Sequence, residues 1–545
     1  MRITYHSLLA AVVLATISAS SFGASIIDVQ SLPSLASSHS GLVQTLQLNP
    51  QTSFIAGHAV TTNGNHFNYR LQQYYRKIPI YGFSIVATKD AYGHYIKATG
   101  LAVNNIAQDI QSITPEVSAN QATQIALNSF QKLAHSTPVY SHHQSSNLWI
   151  YLTEKHRAKL VYITTFLSLK PQFSEHKAII DAHTGSIIKQ WDNTHRFIPI
   201  NSNSYTNQKK QKTAGFSHIS TFKLSDTPSK VLQIGTGDGG NEKTGKYHYG
   251  QENKPFLNIT QNGSDCTLEN SQEKTLNLHN KNSDDSQGSP ITYPCPEYTE
   301  ATTNGAYNVA NDAHFAADST VNMFKQWLNI DLNNNTQFKV IVHCDVDYNN
   351  AFMNDANSIA LGDGDNKIYY PWTSLDIVGG TIGYIFTDNH SKLAWDGSQS
   401  AAISASFTQI TGVAVKNFVT GNDDFTLGNN IIRDEKSFRT AIFYLDDPTK
   451  DGSSIDSATK FSPDNFPQSN AGVFNKAFYT LATTNNWNIK KAFQVFATAN
   501  ELYWNTSSNF KDGACGVVKA AKDLNLPQED VINAFSQVDI NNPCG

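Results

Sequence analysis

Ser374-Leu375-Asp376-Ile377-Val378-Gly379-Gly380-Thr381-Ile382-Gly383-Tyr384-Ile385-Phe386-Thr387 sets Leu375, Val378, Ile382 and Ile385 at the spacing of a helix with one buried face. Gly379, Gly380 and Gly383 each weaken a helix interior by roughly 1 kcal/mol relative to alanine, so packing of Leu375, Val378 and Ile382 is expected to hold it. Helical spacing returns at Ile403, Phe407, Ile410 and Ala414 within Gln399 to Val415. Upstream, from Gly240 to about Tyr370, strand and turn signals dominate, as in Val340-Ile341-Val342-His343-Cys344. Earlier still, Ser25 to about Asn193 alternates apolar and polar residues, with one helical stretch at Ser118 to Leu133. Between these halves, residues 194 to about 233 are polar and include Lys209-Lys210, an exposed place for a trypsin-like protease to cut.

The 545 residues carry 40 basic and 45 acidic side chains, a net charge of −5 that gives no field for a polyanion, so no nucleic-acid partner is expected. Residues 1–24 join a cationic start (Arg2) to an apolar run from Leu8 to Ile17 and small residues near Ala24, which predicts a secretory signal peptide. That run is too short to span a bilayer and no other stretch is long enough, so the expectation is an exported chain, periplasmic or extracellular, without a membrane partner. Export permits disulfides, and equal spacing suggests the pairs Cys266 with Cys295 and Cys515 with Cys544. Cys344, in the apolar run, is expected to be a packed, inert thiol.

Several separated blocks carry a family resemblance. Gly239-Gly240-Asn241-Glu242-Lys243-Thr244-Gly245-Lys246-Tyr247, Tyr348-Asn349-Asn350-Ala351-Phe352, Gly362-Asp363-Gly364-Asp365, Asp446-Asp447-Pro448 and Asn475-Lys476-Ala477-Phe478-Tyr479 resemble the thermolysin-like M4 metalloendopeptidases, in particular the vibriolysin and pseudolysin branch. Tyr69-Arg70-Leu71-Gln72-Gln73-Tyr74 and Asp181-Ala182-His183-Thr184-Gly185 with Gln190-Trp191-Asp192-Asn193 resemble the FTP and PepSY propeptide modules that precede such enzymes. The resemblance implies an α+β propeptide-like half, then a two-lobed thermolysin-like domain with a β-rich lobe before a mainly helical one. The expected segments are 1–24 signal peptide, 25–105 FTP-like, 106–195 PepSY-like, 196–233 linker, 234–372 β-rich lobe and 373–545 helical lobe. It also implies the same two disulfides.

Such enzymes need two histidines one helical turn apart, a carboxylate ligand from the next helix, and a glutamate to activate the zinc-bound water. Matched position by position, Gly380 and Tyr384 stand where the histidines belong, Thr381 at the general base and Ala405, or Ser404, at the carboxylate ligand. Gln468 stands at the transition-state histidine, Trp395 at the cleft tyrosine, Phe443 at the substrate-binding arginine and Gln409 at the aspartate that orients a ligand. Glycine has no ligand atom, and a phenol with a pKa of about 10 is a reluctant one. Independently of alignment, the histidines after Ile234 are His248, His279, His314, His343 and His390, and none forms a one-turn pair. No cofactor is therefore expected, although active relatives use zinc.

Asn350 and Ala351 match residues that hold an extended substrate through backbone hydrogen bonds, so peptide binding is expected to outlive catalysis. Asp376 and Asp424 match calcium ligands, while Lys416 and Asn429 replace two acidic ones, leaving residual calcium binding possible or Lys416 as its substitute. The reading is a secreted pseudoprotease that binds a peptide or protein, a related protease among the candidates. Its rivals are an active metalloendopeptidase with a non-standard site and a chaperone or inhibitor acting through the propeptide-like half.

Overall fold

Alternating side chains make the first half of the chain a curled sheet, and helical spacing makes the last third a bundle; the architecture is α+β. The computed structural model describes residues 23–29, 41–62, 66–133, 141–168, 174–198, 231–251, 254–281, 288–332, 336–436 and 439–545. The expected signal peptide (except its last two residues), Lys209-Lys210 and most of the expected linker lie outside the described residues.

In the first half, β1 (Ser25–Asp28), β2 (Thr52–Thr62), β3 (His66–Tyr75), β4 (Ile78–Lys89), β5 (Tyr95–Asn104), β6 (Ser141–Leu152), β7 (Ala158–Ser168), β8 (Ser174–Asp181) and β9 (Ile187–Asp192) join one sheet. β4 carries β3 and β5 along most of its length and meets β6 through Ile80 and Ile150. The short helix α1 (Leu42–Thr45) and helix α2 (Ala119–Leu133) cover the sheet, α2 burying Ala122 and Ala126 against β6 to β8. The apolar positions of α2 recur at helical spacing, which is why it lies with one face on the sheet.

The second half opens with β10 (Val231–Gly235), the hairpin of β11 (Gly237–Asn241) and β12 (Gly245–Tyr249), then β13 (Leu257–Asn262) and β14 (Asp265–Thr267). β15 (Glu273–Asn277), β16 (Ser289–Pro290), β17 (Thr292–Pro294), β18 (Phe338–Cys344), β19 (Ala351–Asp355) and β20 (Ser358–Gly362) follow, with α3 (Val309–Leu328) crossing between β17 and β18. One five-stranded sheet runs β16-β15-β18-β20-β19, so β19 is an edge strand. The helical lobe is built on α4 (Leu375–Asn389) and α5 (Gln399–Thr420), with α6 (Pro467–Asn470), α7 (Gly472–Ala482), α8 (Ile489–Thr498), α9 (Phe510–Asp523) and α10 (Gln528–Ser536) around them.

The glycines of α4 have a packing reason. A Cβ on Gly379 would lie 2.4 Å from Val415, and one on Gly383 would lie 2.8 Å from the Thr411 hydroxyl. Their cost in helix propensity is thus offset by close approach of α5, and Ile377, Val378, Ile382 and Ile385 are all buried. Disulfides join Cys266 to Cys295 and Cys515 to Cys544, which fits an oxidising compartment outside the cytosol, and Cys344 is a buried thiol. No described helix is long and apolar enough to cross a membrane.

The two halves are bonded to each other. Arg70 donates to the carbonyls of Glu501 and Asn500 at 2.8 and 2.9 Å, Asn68 donates to Asp523 at 2.8 Å, and Lys189 pairs with Asp396.

Candidate functional site

An edge strand presents amides and carbonyls with no neighbour to satisfy them. On β19 these groups are taken by the chain itself. Beyond β9 the backbone crosses to the second half, where the Phe197 amide donates to the Ala351 carbonyl at 2.9 Å and the Met353 amide donates to the His195 carbonyl at 3.1 Å. Arg196 and Phe352 form the antiparallel bridge between these bonds. The Asn350 side chain fixes the register: its Oδ1 accepts from the Ile198 amide at 3.1 Å and its Nδ2 donates to the Ile198 carbonyl at 2.8 Å. The expected linker therefore begins with three residues, 196–198, that are seated on this edge.

The carbonyl of Arg196 points across the cleft to the helical lobe. It accepts from the Tyr384 hydroxyl at 2.9 Å and from Gln468 Nε2 at 2.8 Å. Both donors are buried, so each hydrogen bond replaces one that water would otherwise supply. Burial also raises the Tyr384 phenol above its usual range, which keeps it a donor.

The side chains on either side of that carbonyl are locked in place. Phe197 is 1% exposed and packs near Trp372 and Phe443, with ring centroids 6.3 and 6.0 Å away. Gly380 makes the room, because a Cβ there would stand 2.8 Å from the Phe197 ring and 3.0 Å from the Thr408 carbonyl oxygen. His195 packs against both Tyr384 and Trp395, with centroids 5.1 and 4.8 Å away. Neither of its ring nitrogens has a hydrogen-bond partner among the described residues. Burial pushes this imidazole down to about 4, against the pull of the Asp388 carboxylate, so it is neutral near pH 7. The Arg196 guanidinium turns back to Ser174 and Asp192, at 3.0 and 3.3 Å.

The remaining positions singled out by the resemblance are committed to packing and to hydrogen bonds within the helical lobe. The Thr381 hydroxyl donates to the Ile377 carbonyl of its own helix at 2.7 Å, Ala405 is fully buried, Ser404 is buried, and Gln409 Oε1 accepts from Asn475 at 2.6 Å. A zinc ion does not fit this set. Gly380, Thr381, Tyr384 and Ala405 offer no imidazole, thiolate or carboxylate, and the phenol already donates to a carbonyl. Among the described residues no group of three or more His, Cys, Asp and Glu side chains is arranged to hold a metal.

At the expected calcium positions the Lys416 ammonium lies among the carboxylates. Lys416 Nζ lies 2.8 Å from Asp424 and 3.6 Å from Asp376, and donates to the Thr426 carbonyl at 2.6 Å. Asp376 is fully buried and also accepts from the Gly428 amide at 2.7 Å and the Ser374 hydroxyl at 2.6 Å. Burial would raise the Asp424 carboxyl, but the Lys416 charge and hydrogen bonds hold it below its usual value.

The structure thus brings Gly380, Tyr384, Trp395, Phe443, Gln468, Asn350 and Ala351 together around one occupant. Sequence reading missed that occupant, His195 to Ile198. The available signal was a second apolar patch, Phe197-Ile198, three residues beyond Trp191-Asp192-Asn193 in otherwise polar surroundings.

Comparison with known proteins shows the family. Residues 242–388 match the model of the thermolysin metallopeptidase catalytic domain, and residues 391–540 match that of the thermolysin metallopeptidase alpha-helical domain. The chain is 34% identical to the hemagglutinin/proteinase of Vibrio cholerae over 509 residues, 92% of this chain and 76% of that one. It is 32% identical to the virulence metalloprotease of Vibrio anguillarum, over 91% of this chain and 74% of that one. A zinc metalloproteinase of Legionella pneumophila is 29% identical over 94% of both. Among solved structures, the precursor of protealysin, a metalloproteinase from Serratia proteamaculans, aligns with a TM-score of 0.42 and 20% identity over 49% of this chain and 86% of that one.

Proposed function

The chain belongs to the thermolysin metallopeptidase family, and from that premise we propose that it is a secreted, non-hydrolysing homologue whose cleft binds peptide instead of cutting it. One observation carries the reading: the Arg196 carbonyl is held by Tyr384 and Gln468, two neutral donors at positions where the family places a zinc ligand and a catalytic histidine. Hydrolysis of an amide requires a nucleophile aimed at the carbonyl carbon and a group to take its proton. Thr381, at the general-base position, spends its hydroxyl on Ile377, and a hydroxyl has no basicity near neutral pH. Two hydrogen bonds to the carbonyl oxygen stabilise a bound peptide without delivering a nucleophile.

Retention of the edge at Asn350 and Ala351 supports the binding half of the proposal, since bonds from the Ala351 carbonyl and the Asn350 side-chain amide to the main chain of a peptide need no metal. The two propeptide-like modules act, in this reading, as the scaffold that delivers residues 195–198 to the cleft.

Elemental analysis of the purified full chain, with a peptidase assay run with and without a chelator, tests the proposal. The expected result is substoichiometric zinc and no chelator-sensitive cleavage. Stoichiometric zinc with cleavage abolished by chelator would overturn it.

A further inference from the structure

In the first half of the chain a buried carboxylate binds the main chain at Ala24. Asp109 follows the single helical turn Ile106–Gln108 after β5, and its side chain is only 4% exposed. Its Oδ2 accepts from the Ala24 amide at 2.8 Å and from the Ala158 amide at 2.9 Å, while Oδ1 lies 3.0 Å from Arg157 Nη1. The Arg157 side chain is 57% exposed, so water screens the cation paired with this carboxylate. A buried carboxylate held mainly by neutral amides is short of positive charge, and Ala24 is a place where that charge can be made.

Ala24 is 7% exposed and packs with Ile106 and Ala158 in the core of the first half. The next residue is fixed as well: Ser25 pairs with Asn104 on β5, and its hydroxyl accepts from Asn105 at 3.1 Å. Residue 23 is constrained in the opposite sense. A Cβ there would stand 2.6 Å from both Asp109 Oδ1 and Arg157 Nη1, so a side chain before Ala24 would displace the groups that hold it. Glycine respects that limit, and Ser21 with Gly23 also supplies the small residues, two apart, at which exported chains lose their leader.

We propose that Asp109 is the receptor for the α-ammonium of Ala24, formed when a signal peptidase hydrolyses the Gly23–Ala24 bond on export. Water supplies the oxygen of the new Gly23 carboxylate and both protons taken up by the nitrogen as the C–N bond breaks, which leaves Ala24 as an ammonium. Maturation exchanges a neutral hydrogen bond to Oδ2 for a charged one and fastens β1 to the sheet. The cut falls one residue before the leader boundary read from the sequence. Cleavage after Ala24 would remove a buried side chain and leave Oδ2 with the Ala158 amide alone. The site is independent of the peptide-binding reading.

The full chain, exported from a bacterial host, is first examined by N-terminal sequencing and intact mass. The expected terminus is Ala24, and any other terminus overturns the proposal. A second comparison separates a receptor from a mere preference of the peptidase. Two chains are prepared through a cleavable tag, one starting at Ala24 and one retaining residues 19–23. Amide hydrogen exchange in β1 is expected to be about tenfold slower in the chain that starts at Ala24, and this gain should vanish with Asp109→Asn. Equal exchange in the two chains, or a gain that survives Asp109→Asn, overturns the proposal. Where Asp109→Asn fails to fold, pH decides. The gain should shrink as pH rises beyond about 8, where an α-amino group loses its proton, and a gain that stays constant to about pH 10 overturns the proposal.

Discussion

The hydroxyl of Tyr384 donates to the main-chain carbonyl of Arg196 at 2.9 Å, across 188 residues of sequence, and Gln468 donates to the same oxygen from a third element. A carbonyl that loses both donors in a buried cleft bears its full desolvation cost. Tyr384→Phe alone is expected to destabilise the chain by about 1 kcal/mol, and Tyr384→Phe with Gln468→Leu by about 2–4 kcal/mol, more than the sum of the singles. Chemical denaturation of the two single variants and the double variant measures this; strict additivity would show that the two donors do not share one acceptor.

Gly380 and Phe197 are coupled by space. Alanine improves helix propensity by roughly 1 kcal/mol, yet its Cβ would meet the Phe197 ring at 2.8 Å and a backbone oxygen at 3.0 Å. Gly380→Ala is expected to destabilise by about 1–3 kcal/mol through overpacking. Phe197→Ala should cost about 3–5 kcal/mol. In the Phe197→Ala background Gly380→Ala should become close to neutral, and a double-mutant cycle with no coupling would refute the contact.

Lys416 supplies the positive charge that Asp376 and Asp424 share. Wild type is therefore expected to melt at the same temperature with calcium or with chelator. Lys416→Met leaves the fully buried Asp376 without its cation and should cost about 3–5 kcal/mol. Added calcium should restore part of that loss in the variant and nothing in wild type, as read by thermal melts.

Acid should loosen the docked segment through His195. Its imidazole titrates at 6.5 in an unfolded chain and at about 4 when buried, so between those values the unfolded state binds more protons. The contribution is fully present above pH 6.5 and is lost as pH falls towards about 4, on the order of 3 kcal/mol in all. Nearby Glu175, raised to about 7 mainly by burial, has the opposite slope, since its stabilising effect fades as pH rises from 4.5. The difference between wild type and His195→Phe isolates the histidine. Stability of wild type relative to that variant should fall with acidification across this window, and a flat difference would contradict a buried neutral ring.

On the proposed non-hydrolysing reading, the bond between Arg196 and Phe197 should stay intact in the purified protein, since Tyr384 and Gln468 hold its carbonyl as neutral hydrogen-bond donors. Intact-mass and N-terminal analysis of protein produced without other proteases checks this.

The helices of the second half were legible because apolar residues recur at one-turn spacing in Leu375 to Ile385 and Ile403 to Ala414, a periodicity fixed by backbone geometry alone. The residue types at Gly380, Thr381, Tyr384 and Ala405 are equally direct to read, since whether a side chain carries an imidazole or a carboxylate is a property of composition. The glycines of α4 were harder to interpret. Sequence shows their cost to a helix, whereas the close approach of Val415 and the seat for Phe197 appear only once α5 and the crossing segment are in place.

By itself the amino-acid sequence determined the periodic elements, the candidate cysteine pairs and the residue types at the cleft positions, all of which are written in local pattern or residue type. Only the tertiary structure decided what fills the cleft. Apart from the Asn350 side chain, pairing of residues 195–198 with 350–353 uses backbone amides and carbonyls that almost every residue possesses, and it joins segments about 155 positions apart. Beyond the apolar pair Phe197-Ile198 such a contact leaves little trace in the linear text, because its selectivity comes from the shapes that Gly380, Tyr384, Trp395 and Gln468 make when folded together.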